Sequence, residues 1–323
     1  MPLLHSDVKL AIAGSLDQFF KDHEHYKVNE GATELLRYHL SSFVQSHPAT
    51  FILNQTIRSV GPEGLLYVNQ REIAGTTPED GNVIVGDATT CHILVLRHSG
   101  SGAVVLSHFD GTNTEEGVKV VMTLIKELSQ GIEGRMELHL AGGFCDDRHM
   151  SVKLSLDILS KYIKLKFLES KKTDRSFLVS FFMISAVDVK TGDIFQANFP
   201  EKGPDMDIRS ARNFTGGHEL VNIYDHKTNL MTIGPFSYEP LYLYVMLFPR
   251  QSVKVIALRT NLSTSPEQEP PGFIQHIKET LAVMKKHPRP KQTVFPGNKG
   301  HEYKKEQNGS WTLLNVISRG FDT

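Results

Sequence analysis

Between residues 51 and 109 five short extended-type runs follow one another with no strong helical signal between them: FILNQTIRSV, GLLYVNQRE, NVIV, CHILVLRH and AVVLSHF. Helix-period spacing enters only around them. It marks 7–22 and 31–45 before the runs, and 114–129 (TEEGVKVVMTLIKELS) after them, with acidic residues in the first turn of the last. Residues 149–168 and 272–286 carry the same helical spacing. RMELHLAGGF reads as a strand ending at Gly-Gly, and further strands are expected at 176–189, 193–198, 220–224, 229–233, 241–248 and 252–260. Strands dominate and helices do not alternate strictly with them, which argues for an α+β fold over a doubly wound α/β one. No 20–50-residue repeat and no internal linker interrupts the chain. The expectation is one large unit over 1–323, with a helical N-terminal region at 7–45 and an irregular C-terminal tail at 288–323.

Bulk properties narrow the function. The 35 basic and 36 acidic residues leave a net charge of −1, so no charge excess points to nucleic acid or an anionic membrane surface. The longest apolar stretches, such as LYLYVMLF at 241–248, fall well short of the roughly 20 residues that span a bilayer. The N-terminus shows no basic n-region or uninterrupted apolar h-region, and there are only two cysteines. A reducing compartment, cytosol or nucleus, is therefore expected, with no disulfide framework. The sequons at Asn54, Asn213, Asn261 and Asn308 are then chance occurrences. No cofactor or metal is expected: there is no CxxC, no His/Asp/Glu cluster at ligand spacing, no Walker A and no GxGxxG.

Chemistry concentrates on one hairpin. Runs 91–97 and 102–108 flank His98-Ser-Gly-Ser-Gly102. If Ser99-Gly100 is a two-residue loop, Cys91 pairs with His108, with Cβ atoms roughly 4.5–5.5 Å apart. A thiol and an imidazole that close form a nucleophile and its base. Successive strand residues alternate faces, so His92 points away from the pair. Ser101-Gly102 as the loop shifts the pairing by four residues, keeping both side chains on one face but farther apart; a one-residue slip separates the faces. A core cysteine beside an ordinary strand histidine is the competing reading.

Thr89-Thr90 and the Gly86-Asp87 turn give a polar approach to the strand start, where free backbone N–H groups could serve as an oxyanion hole. Cys145, in AGGFCDDR, is the rival thiol, weakened as a nucleophile by the two aspartates that follow it. Asp110, in SHFDG, is placed to touch substrate or backbone. Loop 261–273, with Ser263, is a helix cap or a substrate contact.

Several long strings resemble the protein N-terminal asparagine amidohydrolase family: MPLL, VGPEGLLYVNQREIA, DATTCHILVLRH, HFDGT, HLAGGFCDDR, IGPFSY, NLSTSPEQEPPGFIQHIKETL and FPGNK, which together cover most of the chain. The resemblance implies an α-β-β sandwich of the cysteine-hydrolase type related to bacterial toxin and chemoreceptor deamidases. It implies deamidation of N-terminal Asn to Asp through a thioester, feeding ubiquitin-dependent N-degron degradation. Cys91 is then the nucleophile and His108 the general base. Asp87, Asp110 and Ser263 are candidates for contact with a substrate that is a protein or peptide bearing a free N-terminal Asn, and the enzyme is expected to act as a monomer without nucleic acid or membrane.

One position departs from the pattern. The family's GSDDATTC carries a serine six residues before the nucleophile, expected to orient the histidine; here the string is VGDATTC and position 85 is valine. Orientation then falls to backbone at Val85 or Gly86, with Thr90 beside the oxyanion. Cys145 stands where the family has serine in GGFSDD. A non-catalytic N-terminus-binding homologue and a different cysteine hydrolase or transamidase are the alternatives.

Overall fold

A computed structural model describes residues 57–143, 150–169, 177–182, 185–214, 218–238, 269 and 272–314. The helices expected at 7–22 and 31–45, the strands expected at 241–248 and 252–260, and Cys145 and Ser263 lie outside the described residues.

The fold is α+β. A six-stranded sheet forms its centre, in the order β12 (Val221–Asn222), β3 (Glu72–Thr76), β6 (Val104–Phe109), β5 (His92–His98), β7 (Met136–Gly142) and β8 (Phe177–Phe182). A second sheet runs β10 (Ile194–Phe195), β9 (Ser185–Asp188), β4 (Val83–Gly86), β2 (Leu65–Tyr67). A third runs β13 (Tyr224–Asp225), β14 (Leu230–Ile233), β15 (His301–Lys305), β16 (Trp311–Leu313), and β1 (Arg58–Ser59) pairs with β11 (Ala197–Asn198). The helices are α1 (Thr114–Ser129), α2 (Met150–Glu169), α3 (Met206–Phe214), α4 (Phe273–Lys286) and the short α5 (Pro290–Thr293).

Both faces of the central sheet are covered, which is why HILVLRH and VVLSHF read as nearly continuous apolar runs. Leu94, Leu96, Val105 and Phe109 pack against Val118, Val121, Met122 and Ile125 of α1 and Leu154, Ile158 and Tyr162 of α2. From the opposite face Ile93, Val95, Val104 and Leu106 meet Leu66, Ile84 and Val187 of the second sheet and Met231, Ile233 and Tyr303 of the third. Helices, large sheet and smaller sheets thus form three layers.

Helices were expected at 114–129, 149–168 and 272–286, and α1, α2 and α4 occupy those places. The expected strand at 176–189 is two strands in different sheets, and α3 lies where no element was expected. Residues 288–323 are not an irregular tail over their described part. They contain β15 and β16, joined by a turn in which Glu306 N–H donates to Ser310 O and Gly309 N–H to Glu306 O. In HEYKK only Tyr303 is buried, so the strand looks hydrophilic and escapes a hydrophobicity reading. The Asn308-Gly309 dipeptide was the available hairpin signal.

Candidate active site

The β5–β6 register corrects the expected pairing of Cys91 with His108. His92 pairs with Phe109 and Ile93 with His108, so one step past the ladder Cys91 faces Asp110. The loop is neither two-residue choice but four residues, Ser99–Gly102, closed by Gly102 N–H to His98 O at 2.8 Å and His98 N–H to Ala103 O at 2.9 Å. Ser101 N–H donates to His98 Nδ1 at 3.1 Å, and the one positive φ, +73°, falls at Gly102. The sequence-derived register is therefore displaced by two residues, which preserves the face. Cys91 and His108 stay on the sheet–sheet side as diagonal neighbours, a relation that typically separates residues by about 7–8 Å, and no hydrogen bond joins the ring to the sulfur.

The backbone of Cys91 is clamped from β7. Gly143 N–H donates to Cys91 O at 2.9 Å, and a Cβ at Gly142 would stand 2.5 Å from that oxygen. Residues 87–91 are all partly exposed, so the segment opens to solvent. Burial, then the charges of Asp110 and Glu269, push the Cys91 thiol up to about 12 against the opposing pull of Arg71.

His108 is buried, and among the described residues neither ring nitrogen has a hydrogen-bond partner. Burial holds its pKa below the ordinary value, although Asp87, Asp110 and Glu72 pull the other way. The backbone orientation expected from Val85 or Gly86 is not made: Val85 O accepts Val68 N–H at 2.9 Å, and the Val85 side chain is fully buried with Leu65 and Tyr67. His92 belongs to the other face. Ser155 Oγ donates to Ser151 O, so it receives the His92 Nε2–H at 2.6 Å, and burial takes His92 down to about 4. Burial thus favours the neutral form of the Cys91 thiol and of the His92 and His108 imidazoles.

Two carboxylates flank the pair. Asp110 is saturated: Oδ2 accepts Gln70 Nε2 at 2.8 Å and Arg71 Nε at 2.5 Å, while Oδ1 accepts Thr112 N–H at 2.9 Å and its hydroxyl at 2.6 Å. Asp87 accepts Tyr67 Oη at 2.5 Å and Lys202 Nζ at 2.7 Å. Burial pushes Asp87 up, but Lys202 and Tyr67 outweigh it and hold the carboxyl ionised below the usual range. Both groups expected to meet a substrate ammonium are thus committed within the protein.

Two residues of this neighbourhood escaped the sequence reading. Glu269, in the loop before α4, accepts the Thr89 hydroxyl at 3.5 Å and acts on the Cys91 thiol. Arg209 is fully buried and grips Glu72 with two bonds, Nε–Oε1 at 3.0 Å and Nη2–Oε2 at 2.6 Å. It also donates to the carbonyls of Tyr67 (2.8 Å) and Lys202 (3.0 Å).

Linear spacing offered no ligand cluster, but among the described residues α3 and α4 bring donor atoms of Asp207, His276 and Glu279 within 4.8 Å of one another. Protein groups already engage it, with Ser210 Oγ 2.9 Å from His276 Nε2 and Gln275 Nε2 donating to Glu279 at 2.8 Å. No described helix is long and apolar enough to cross a membrane.

Comparison with known proteins follows the same residues. The family model described as protein N-terminal asparagine amidohydrolase matches residues 55–313. A Sus scrofa protein of that name is 43% identical over 313 residues, covering 91% of this chain and 98% of its own. The Homo sapiens protein of that name is 42% identical over 304 residues, covering 88% and 97%. An Arabidopsis thaliana protein, also so named, is 24% identical over 285 residues, covering 76% and 80%.

Proposed function

Because this chain belongs to the protein N-terminal asparagine amidohydrolase family, and so to the amidohydrolases, we propose that it converts N-terminal Asn of proteins and peptides to Asp with release of ammonia. The observation that carries the site assignment is a partly exposed cysteine at a strand start, with a buried, unpartnered imidazole on the same sheet face. The helix layer and the two sheet layers around it support the reading of an α-β-β sandwich of the cysteine-hydrolase type.

In the proposed reaction Cys91 Sγ attacks the side-chain carboxamide carbon while His108 takes the thiol proton. A thiol pushed up to about 12 and an imidazole held below its ordinary pKa favour proton transfer that accompanies attack over a standing thiolate–imidazolium pair. Backbone N–H groups around Thr89, Thr90 and Cys91 hold the oxyanion. His108 returns the proton to the departing ammonia as the C–N bond breaks, leaving a thioester. Water then attacks the thioester, His108 takes a proton from it, and the C–S bond breaks to release Asp and restore the thiol.

Asp87 and Asp110, the candidates for the substrate's α-ammonium, are joined beside the thiol by a third carboxylate, Glu269. Rejection of Gln through apolar fit alone gains only about 1–3 kcal/mol, so Asn selectivity needs the longer carboxamide to miss the sulfur. The product feeds ubiquitin-dependent degradation in the cytosol or nucleus, and the enzyme works as a monomer.

An Asn-initiated peptide incubated with the chain should gain about one mass unit and release ammonia, by a thioester route that Cys91→Ala abolishes. An N-acetylated peptide should stay unchanged. Activity retained in Cys91→Ala would end the assignment. The unpartnered His108 also suits a protein that binds N-termini without turnover, and tight binding with no ammonia would establish that reading instead.

A further inference from the structure

The packed pair α3 and α4 brings together residues that the proposed reaction does not use. Asp207 and Ser210 lie one turn apart on α3, and His276 and Glu279 one turn apart on α4, so each pair shares a helix face. Donor atoms of Asp207, His276 and Glu279 lie within 4.8 Å of one another, and His276 Nδ1 stands 3.8 Å from Asp207 Oδ1. That gap is too long for a hydrogen bond. It is close to what two ligands of one cation need, since metal–nitrogen and metal–oxygen bonds of about 2.0–2.2 Å set neighbouring donors roughly 3–3.5 Å apart. Glu279 is exposed and Asp207 partly so, and rotation of their carboxylates closes the difference.

The surrounding bonds leave the facing donors available. Ser210 Oγ meets the far ring nitrogen, His276 Nε2, at 2.9 Å, and the buried Ser210 itself receives Asn69 Nδ2 at 3.3 Å. Metal-ligating histidines are oriented by such an outer contact: with Nε2–H donated to Ser210, Nδ1 turns its lone pair towards the carboxylates. Gln275 occupies only Oε1 of Glu279 and leaves Oε2. Among the described residues no lysine or arginine pairs with Asp207 or Glu279.

We propose that Asp207, His276 and Glu279 bind a divalent transition cation of the Mn²⁺ or Zn²⁺ class, with water completing its shell. Only His276-x-x-Glu279 is local in sequence; Asp207 comes from another helix, which is why linear spacing offered no cluster. The cation fastens α4 to α3. Arg209 belongs to α3, and the loop before α4 carries Glu269 beside Thr89, so the site braces two elements that reach the candidate active site without entering its chemistry. The proposal stands whichever residue is the nucleophile.

The test uses the full chain, stripped with EDTA and returned to metal-free buffer, with MnCl2 as the probe because this cation favours carboxylate over thiolate. NMR on labelled histidines follows paramagnetic broadening, the His276 signal being assigned by its loss in His276→Asn. His276 should broaden at lower MnCl2 than the exposed His218, and an equimolar amount of ZnCl2 should reverse the effect. Glu279→Gln should raise the MnCl2 needed by about tenfold or more, and Ser210→Ala by roughly tenfold through the outer contact. ZnCl2 should raise the melting temperature of the native chain and leave that of Glu279→Gln unmoved. An ion pair between His276 and Asp207 alone predicts none of this. Broadening of His276 no earlier than His218, broadening that ZnCl2 does not reverse, or an unchanged response in Glu279→Gln overturns the proposal. Glu279 is exposed, so its substitution carries the comparison even where Ser210→Ala loosens the helices.

Discussion

Arg209 shows how little a charged residue's sequence context reveals about its place. In MDIRSARNF it reads as a surface arginine, yet its side chain has no solvent access and its carboxylate partner is 137 residues away. Removing one member of such a pair strands the other, at a cost of about 3–5 kcal/mol, whereas replacing both with apolar residues is far milder. Arg209→Met should therefore be strongly destabilised in urea unfolding, and Glu72→Met/Arg209→Met should recover much of the loss. Activity should not recover with it, because Arg209 also holds the carbonyls of Tyr67 and Lys202, the two residues that grip Asp87. At this scale the face shared by Cys91 and His108 was legible, since alternation along a strand depends on nothing distant. Glu269, Arg209 and the commitments of Asp87 and Asp110 were not, because each is defined by a partner far along the chain.

The hairpin carrying the site was readable as an element, and its register was not. Two Ser-Gly dipeptides offered two loops, and tertiary contact selected a third arrangement. Ser99 N–H donates to Arg135 O, Arg135 N–H donates to Ser99 Oγ, and Gly100 is pressed against Glu133, where a Cβ would overlap the carbonyl. Gly100 thus serves close approach and leaves the positive φ to Gly102, a division of labour that the dipeptides alone do not disclose. Gly100→Ala should lose about 1–3 kcal/mol through overpacking at this contact, read in urea unfolding, while the six ladder pairs and the face shared by Cys91 and His108 survive. A large loss of kcat at full occupancy of the fold would contradict that separation of turn from site.

Across the whole molecule the α+β class followed from pattern, and the closure of the C-terminal segment did not. His301 is its ionic clasp: Nδ1 donates to Asp205 Oδ2 at 2.6 Å and Nε2 to Val294 O at 2.9 Å, a pairing that needs the charged ring. The Asp205 bond, against the opposing effect of burial, raises its pKa above the ordinary value. A group raised in the folded state contributes fully below its unfolded value, about 6.5, and loses that contribution as pH rises through the folded value. Melting temperature should therefore fall from about pH 6 towards pH 9 more steeply in the native chain than in His301→Asn, which has no proton to lose. Equal slopes would remove the clasp from the account.

Lys305 adds a consequence for synthesis. Its ammonium, on a strand near the far end of the described chain, donates to Leu65 O at 2.7 Å across 240 residues. The second sheet, which holds Leu65, is therefore latched by a residue made 240 positions after it. A nascent chain emerging from the ribosome can form the β5–β6 hairpin early, yet the sheet packed over the face shared by Cys91 and His108 stays unlatched until translation has passed β15. Chaperones that shield unpaired strand edges would find their target in that interval.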